Sequence, residues 1–127
     1  MFHIVDTGLA RTPGAPLNGT VRAGRTLYMS HIPKDPETAA FIGGSFEAQA
    51  RRAFANLKQS VEAAGGTLAD VTQIVMFLVD REDFAAMNEI YREFFADPFP
   101  NRSVVVVKEL IAPGMLIEFL AYAHLGD

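Results

Sequence analysis

Apolar positions along the chain follow two different periods, one typical of helices and one typical of strands. In two segments apolar residues recur every three or four positions, which is the spacing of one helix face. The first predicted helix follows Ser45 and stops at Gly65-Gly66, and the second follows Asp80 and stops before Pro98. The predicted buried faces are Phe46, Ala50, Ala53, Phe54, Leu57, Val61 and Ala64 in the first helix and Phe84, Met87, Ile90, Tyr91, Phe94 and Phe95 in the second.

Shorter apolar or alternating segments, separated by Gly and Pro turns, predict six strands. Their residues are 2–5, 20–22, 26–32, 70–79, 103–110 and 116–124. The order of strands, helix, strand, helix and strands predicts one α+β domain over residues 1–127, a two-layer mixed β-sheet with two helices on one face. Two helices cannot cover both faces of such a sheet. The other face should therefore expose a large apolar area, which predicts an oligomer.

Composition narrows the function further. The net charge is -4, from 11 basic and 15 acidic residues, so the chain lacks the basic surface that nucleic acid requires. The absence of cysteine excludes disulfides, thiolate zinc sites and cysteine nucleophiles, and it fits a cytoplasmic protein. The N-terminus does not have the pattern of a signal peptide. No apolar run approaches the ~20 residues that span a membrane.

Two charged residues accompany apolar strands near the C-terminus. Arg102 comes just before the run Val104–Val107, and its guanidinium is a planar fork of donors that matches a carboxylate. Glu118 lies inside an apolar strand, where a carboxyl is costly to bury without a partner or a role. Together they predict a small pocket that holds a carboxylate and handles a proton. The alternative is an ion pair between two strand ends.

Other candidate groups are weaker. His31 and His124 are possible acid–base groups, although a histidine at a strand end is more often a polar filler. No set of His, Asp and Glu has metal-ligand spacing, so no metal site is expected. Ser30 and Ser103 lie in no nucleophile elbow, and the Gly pairs lack the lysine of a phosphate loop.

Several segments along the chain form a family pattern. They are Gln49–Gly65, Asp70–Val71, Phe77–Asp80, Asp83–Tyr91, Phe94–Phe95, Phe99–Ser103, and Ile117–Glu118 with Ala121 and Ala123. With them the chain resembles the reactive-intermediate deaminase family, also called Rid or YjgF. The resemblance implies a fold like that of small trimeric chorismate mutases, and a homotrimer with sites between adjacent subunits. It also implies hydrolysis of 2-imino acids or enamines, 2-aminoacrylate-like compounds among them, to 2-oxo acids and ammonia without a cofactor.

The resemblance also implies roles for individual residues. Arg102 matches the arginine of the family's Pro-x-Arg motif, which binds the substrate carboxylate. Glu118 matches the glutamate of the last strand, which positions or activates the attacking water. The backbone near Val104 matches the strand that contacts the substrate.

The chain departs from the family pattern in two places near the implied substrate site. The family's Ser-Gly-Gln stretch is Met29, Ser30 and His31 here, and the N-terminal loop has Leu17 in a neighbourhood where characterised deaminases have a tyrosine. These four positions are the further candidate substrate-binding residues. Their change leaves two functions open, a deaminase or a non-catalytic, regulatory trimer that binds small carboxylates. A third class proposed for relatives, a ribonuclease or translation inhibitor, is disfavoured by the acidic net charge.

Overall fold

All the predicted helices and strands are present in the computed structural model, which describes residues 1–126. The strands are β1 (His3–Ile4), β2 (Thr20–Ala23), β3 (Thr26–His31), β4 (Val71–Leu78), β5 (Asn101–Val106) and β6 (Ile117–His124). The helices are α1 (Phe46–Ala63) and α2 (Phe84–Phe94). None of the helices in this described range is long and apolar enough to cross a membrane.

The strands form one mixed sheet in the order β1-β2-β3-β6-β4-β5. β4 and β5 are parallel, and the other neighbouring strands are antiparallel. Both helices contribute to the core on one face of the sheet, so the predicted α+β class and layer arrangement are confirmed. Phe54 of α1 lies at the centre of this core, fully buried, with its ring stacked on that of Phe119 of β6 at 5.0 Å between centroids.

The two helices begin differently. The Ser45 hydroxyl accepts a hydrogen bond from the Ala48 N–H at 3.1 Å, which confirms the predicted N-cap of α1. Asp80 was predicted to cap α2, but it caps a short 3₁₀ turn instead, and its carboxylate accepts from the Glu82 N–H at 2.9 Å. The α-helix therefore starts later, at Phe84. Phe84 was predicted on the buried face, yet it is 43% exposed because it is the first residue of α2.

β5 begins and ends earlier than predicted. It pairs with β4 from Gln73↔Asn101 to Leu78↔Val106, and the Gln73 side-chain amide donates to Asn101 Oδ1 at 2.8 Å. β4 ends at Leu78, whose carbonyl accepts from the Val107 N–H at 2.8 Å, and residues 108–110 lie outside the sheet. As a result Arg102 lies within the strand rather than before it.

The sheet face opposite the helices is open and largely apolar in the single chain. Tyr28 and Val105 are 45% and 44% exposed, and the ring of Tyr28 meets that of Tyr122 edge-on at 5.6 Å. This confirms the predicted uncovered apolar face. Its side chains include Tyr28, Val75, Phe77, Val105, Leu120 and Tyr122.

Candidate functional site

Arg102 points to the helix side of the sheet. Its strand partner is Ile74, which is fully buried under the helices, and paired residues share a face. The guanidinium carbon lies 4.7 Å from the centre of the Tyr91 ring, a cation–π arrangement. Nη1 lies 3.7 Å from the sulfur of Met87. Among residues 1–126 no carboxylate pairs with Arg102, so the N–H donors that are not directed at Met87 can bind a ligand.

Arg102 opens into a cleft of about 220 Å³ between α2 and β5. Val104 lies two residues further along the same face and is half-buried. β5 is an edge strand of the described sheet, so part of its backbone near Val104 can bond to a ligand. The other residues lining this cleft are Asn88, Tyr91, Arg92, Phe99 and Pro100.

Glu118 points to the open face of the sheet. Its strand partner is Phe77 on β4, and burial raises the pKa of its carboxyl above the ordinary value. The carboxyl opens into a second cavity, of about 350 Å³, lined also by Leu17 and Ser30. The structure thus brings together three of the predicted site residues. The remaining walls are Arg11, Thr12, Ala15, Gly19, Ile32, Lys34, Ala39, Ile111, Ala112 and Met115.

Within one chain, Arg102 and Glu118 lie on opposite faces of the sheet. Their partners on β4 are three residues apart, Ile74 and Phe77, and successive side chains of a strand alternate between faces. An ion pair between Arg102 and Glu118 of one chain, the alternative raised from the sequence, is therefore wrong. A site that uses both groups needs two copies of the chain.

Met29 and His31 point into the core and do not line the Glu118 cavity. Each is 4% exposed, and the His31 ring lies 6.0 Å from that of Phe119. Burial and, to a smaller extent, the positive charge of Lys34 together lower the pKa of His31 to about 3. At neutral pH His31 is thus a neutral imidazole.

No three His, Asp or Glu side chains in residues 1–126 are grouped so that they could hold a metal ion.

The sequence interpretation missed two buried amides on α1 that shape the cavity. Gln49 donates to the Gly114 carbonyl at 3.0 Å and accepts from the Leu116 N–H at 2.8 Å, just before β6. Asn56 donates to the Lys34 carbonyl at 3.0 Å, just after β3. Both are fully buried, and together they hold the two loops beside Glu118. Their position in the apolar stripe of α1 is the sequence signal that could have revealed them.

The low pKa of His31 predicts a specific loss of stability in acid. The unfolded chain takes up this proton near pH 6.5, whereas the folded chain resists it down to about pH 3. Between these values the unfolded state binds more protons, so His31 lowers the free energy of unfolding by up to about 1.4 kcal/mol per pH unit as the pH falls. Urea unfolding from pH 7 to pH 4 should show a shallower pH slope for His31→Leu than for the wild type. The exposed His124→Leu variant is the control, and an equal slope in all three proteins would contradict the assignment.

The chain is similar to known proteins over most of its length. Residues 8–125 match the family model described as Endoribonuclease L-PSP. A 2-iminobutanoate/2-iminopropanoate deaminase of Dermatophagoides farinae is 39% identical over 109 residues, 85% of each chain. RidA of Psychrobacter sp. superposes with a TM-score of 0.87 at 33% identity, over 97% of this chain and 99% of its own. TdcF of E. coli, solved with bound serine, gives 0.85 at 32% identity, over 97% and 98%. The chain therefore belongs to the Endoribonuclease L-PSP family, which is also called YjgF or Rid.

Proposed function

We propose that this protein is a cofactor-independent deaminase, which hydrolyses 2-imino acids or enamines such as 2-aminoacrylate-like compounds to 2-oxo acids and ammonia. The observation that carries the proposal is the pair of open groups, an Arg102 guanidinium with no carboxylate partner among residues 1–126 and a half-buried Glu118 carboxyl in a cavity. The deaminase name of the Dermatophagoides relative supports the same reaction class.

The two groups suit this chemistry. Arg102 binds the substrate carboxylate through two parallel hydrogen bonds and so fixes the neighbouring imine carbon. Glu118 accepts a proton from water as the water oxygen bonds to that carbon, which gives a carbinolamine. Glu118 then returns the proton to the nitrogen. As the carbon–nitrogen bond breaks and ammonia leaves, the hydroxyl of the carbinolamine gives its proton to Glu118 and its oxygen becomes the carbonyl. A protonated imine and water thus yield a 2-oxo acid, ammonia and one proton.

The same proposal places each site between two copies of the chain. Arg102 of one copy would face Glu118 of the next, since the two groups of one copy point to opposite faces. Such a contact joins different surfaces of the two partners, and repeated three times it closes into a ring. A homotrimer would also cover the open apolar face that includes Tyr28 and Val105. For this cysteine-free chain the cytoplasm is the proposed compartment.

One observation favours a second candidate function. Leu17 is 62% exposed and lines the Glu118 cavity with an apolar side chain, so this position provides no hydroxyl to hold a water. A trimer that binds small carboxylates at Arg102 without converting them would fit this lining. RNA cleavage has less support here, because the net charge is -4.

The direct test is the release of 2-oxo acid and ammonia from imino acids generated in the assay by an amino acid oxidase. We expect the purified protein to speed this release well above the spontaneous rate. Calorimetric titration with 2-oxo acids runs in parallel. Binding of these acids without any acceleration, for every imino acid tried, would replace the deaminase with the carboxylate-binding trimer.

A further inference from the structure

Two cations lie at one part of the Glu118 cavity, and the proposed reaction does not use either of them. Arg11 and Lys34 both line this cavity. The Lys34 ammonium donates to the Ala10 carbonyl at 2.8 Å, and the Arg11 guanidinium donates to the Leu17 carbonyl at 3.1 Å. These bonds fold the N-terminal loop over the end of β3. Each cation keeps further N–H donors that can point into the cavity.

Neither cation has an acidic partner in the described chain. No carboxylate of residues 1–126 forms an ion pair with Arg11 or Lys34. The nearest acid in sequence, Asp35, accepts from the backbone N–H groups of Glu37 and Thr38 instead. Asp6 accepts from the Gly8 N–H at 3.1 Å, and it lines a neighbouring cavity that Arg11 and Lys34 also border without forming an ion pair with it. Burial and the charge of Arg11 together lower the pKa of Lys34, so a bound anion would relieve an unfavourable charge.

Arg11 and Lys34 line both this cavity and the neighbouring one beside Asp6, whereas Glu118 lines only this one, so the cations lie on the side that the two cavities share. Burial raises the pKa of the Glu118 carboxyl. The wall also includes Leu17, Ile32 and Met115, whose side chains are apolar. The cavity therefore has a reactive carboxyl, apolar wall and a cationic part.

We propose that Arg11 and Lys34 form a subsite for a second, distal carboxylate, so that the preferred substrates are 2-imino acids with an acidic side chain. The inference rests on the proposed deaminase function for its substrate class. The α-carboxylate would bind Arg102 of a neighbouring copy, the imine carbon would lie at Glu118, and the side-chain carboxylate would reach the two cations. A methylene linker of the side chain would contact the apolar wall.

The test compares two reaction products of equal chain length, 2-oxoglutarate and 2-oxopentanoate, by calorimetric titration of the intact protein. They differ in that one ends in a carboxylate and the other in a methyl group. We expect the wild type to bind 2-oxoglutarate about 10-fold or more tightly, a typical effect of charge-assisted hydrogen bonds. The preference should shrink as salt is added, because Arg11 is exposed.

Lys34→Met keeps most of the length of the side chain and removes its charge, so the preference for 2-oxoglutarate over 2-oxopentanoate should fall several-fold. Arg11→Gln provides a second variant at an exposed position if the first folds poorly. Lys58→Met, on the outer face of α1, is the matched control and should keep the wild-type ratio.

Two results would overturn the subsite. The wild type could bind both acids equally well, or Lys34→Met could lose the same affinity for both acids. Preference for 2-oxoglutarate without imine hydrolysis would instead retain the subsite and reject the deaminase. Imine hydrolysis without a preference for 2-oxoglutarate would instead retain the deaminase and reject the subsite.

Discussion

Glu118→Gln should lower the rate of imino-acid hydrolysis by about 10²–10⁴-fold, the usual contribution of a well-placed acid–base group. The amide has nearly the same shape as the carboxyl, so the packing of β6 beside Phe77 should be unchanged. It cannot accept the proton of the attacking water. Steady-state assays with freshly generated imino acids measure the effect.

The pH profile gives an independent check on Glu118. Burial raises its pKa, and a carboxyl with a raised pKa is a stronger base at neutral pH. Activity should therefore fall as the pH drops through this raised value, because the protonated carboxyl cannot accept another proton. Glu62→Gln, on the exposed face of α1, is the control. Full activity in Glu118→Gln would show that another group handles the water.

Arg102→Lys should weaken the binding of 2-oxo acids by roughly 1–3 kcal/mol, the range for charge-assisted hydrogen bonds, which is about 5–150-fold in the dissociation constant. Lysine keeps the positive charge but loses the planar fork that holds a carboxylate at two points. The substitution also removes the guanidinium whose carbon lies over the Tyr91 ring, 4.7 Å from the ring centre.

Calorimetric titration of the wild type and the Arg102→Lys variant measures this difference. Arg51→Lys is a suitable control, because Arg51 pairs with Glu93 on the exposed side of the helices, away from both cavities. An unchanged affinity in Arg102→Lys would show that Arg102 is not the carboxylate-binding group. Glu118→Gln should change this affinity far less, since it leaves Arg102 in place.

The sequence predicted the layers of the fold well, for a simple physical reason. The stripe through Phe46, Phe54 and Val61 has a helical period, and it faces the core as expected. The excess of apolar strand residues over helix surface predicted an open sheet face, and Tyr28 and Val105 are exposed there. These features depend on the period of the apolar residues and on the balance of apolar area between strands and helices. Both can be read from one sequence.

The geometry of the site could not be predicted in the same way. The faces of Arg102 and Glu118 depend on the register of β5 and β6 against β4, and an apolar run such as Val104–Val107 does not show which side is buried. Lys34 reaches the Glu118 cavity through tertiary folding, and nothing in its sequence neighbourhood indicates this role. Gln49 was detectable in principle, as a polar residue on an apolar helix face.

The central claim is that each site combines Arg102 of one copy with Glu118 of another. Subunit mixing tests it directly. Arg102→Ala and Glu118→Gln chains, each nearly inactive alone, are unfolded together in equal amounts and refolded, and sedimentation equilibrium checks that the product is a trimer. In random assembly about one site in four receives an intact Arg102 and an intact Glu118 from different chains, so about a quarter of wild-type activity should return.

A second mixture, of wild type with the double variant, makes the result decisive. Shared sites predict about a quarter of wild-type activity here as well, whereas sites within single chains predict about a half, by the same random assembly. We expect equal recovery of activity in the two mixtures. No recovery from the single variants, with about half from the second mixture, or a stable monomer at micromolar concentration, would contradict it.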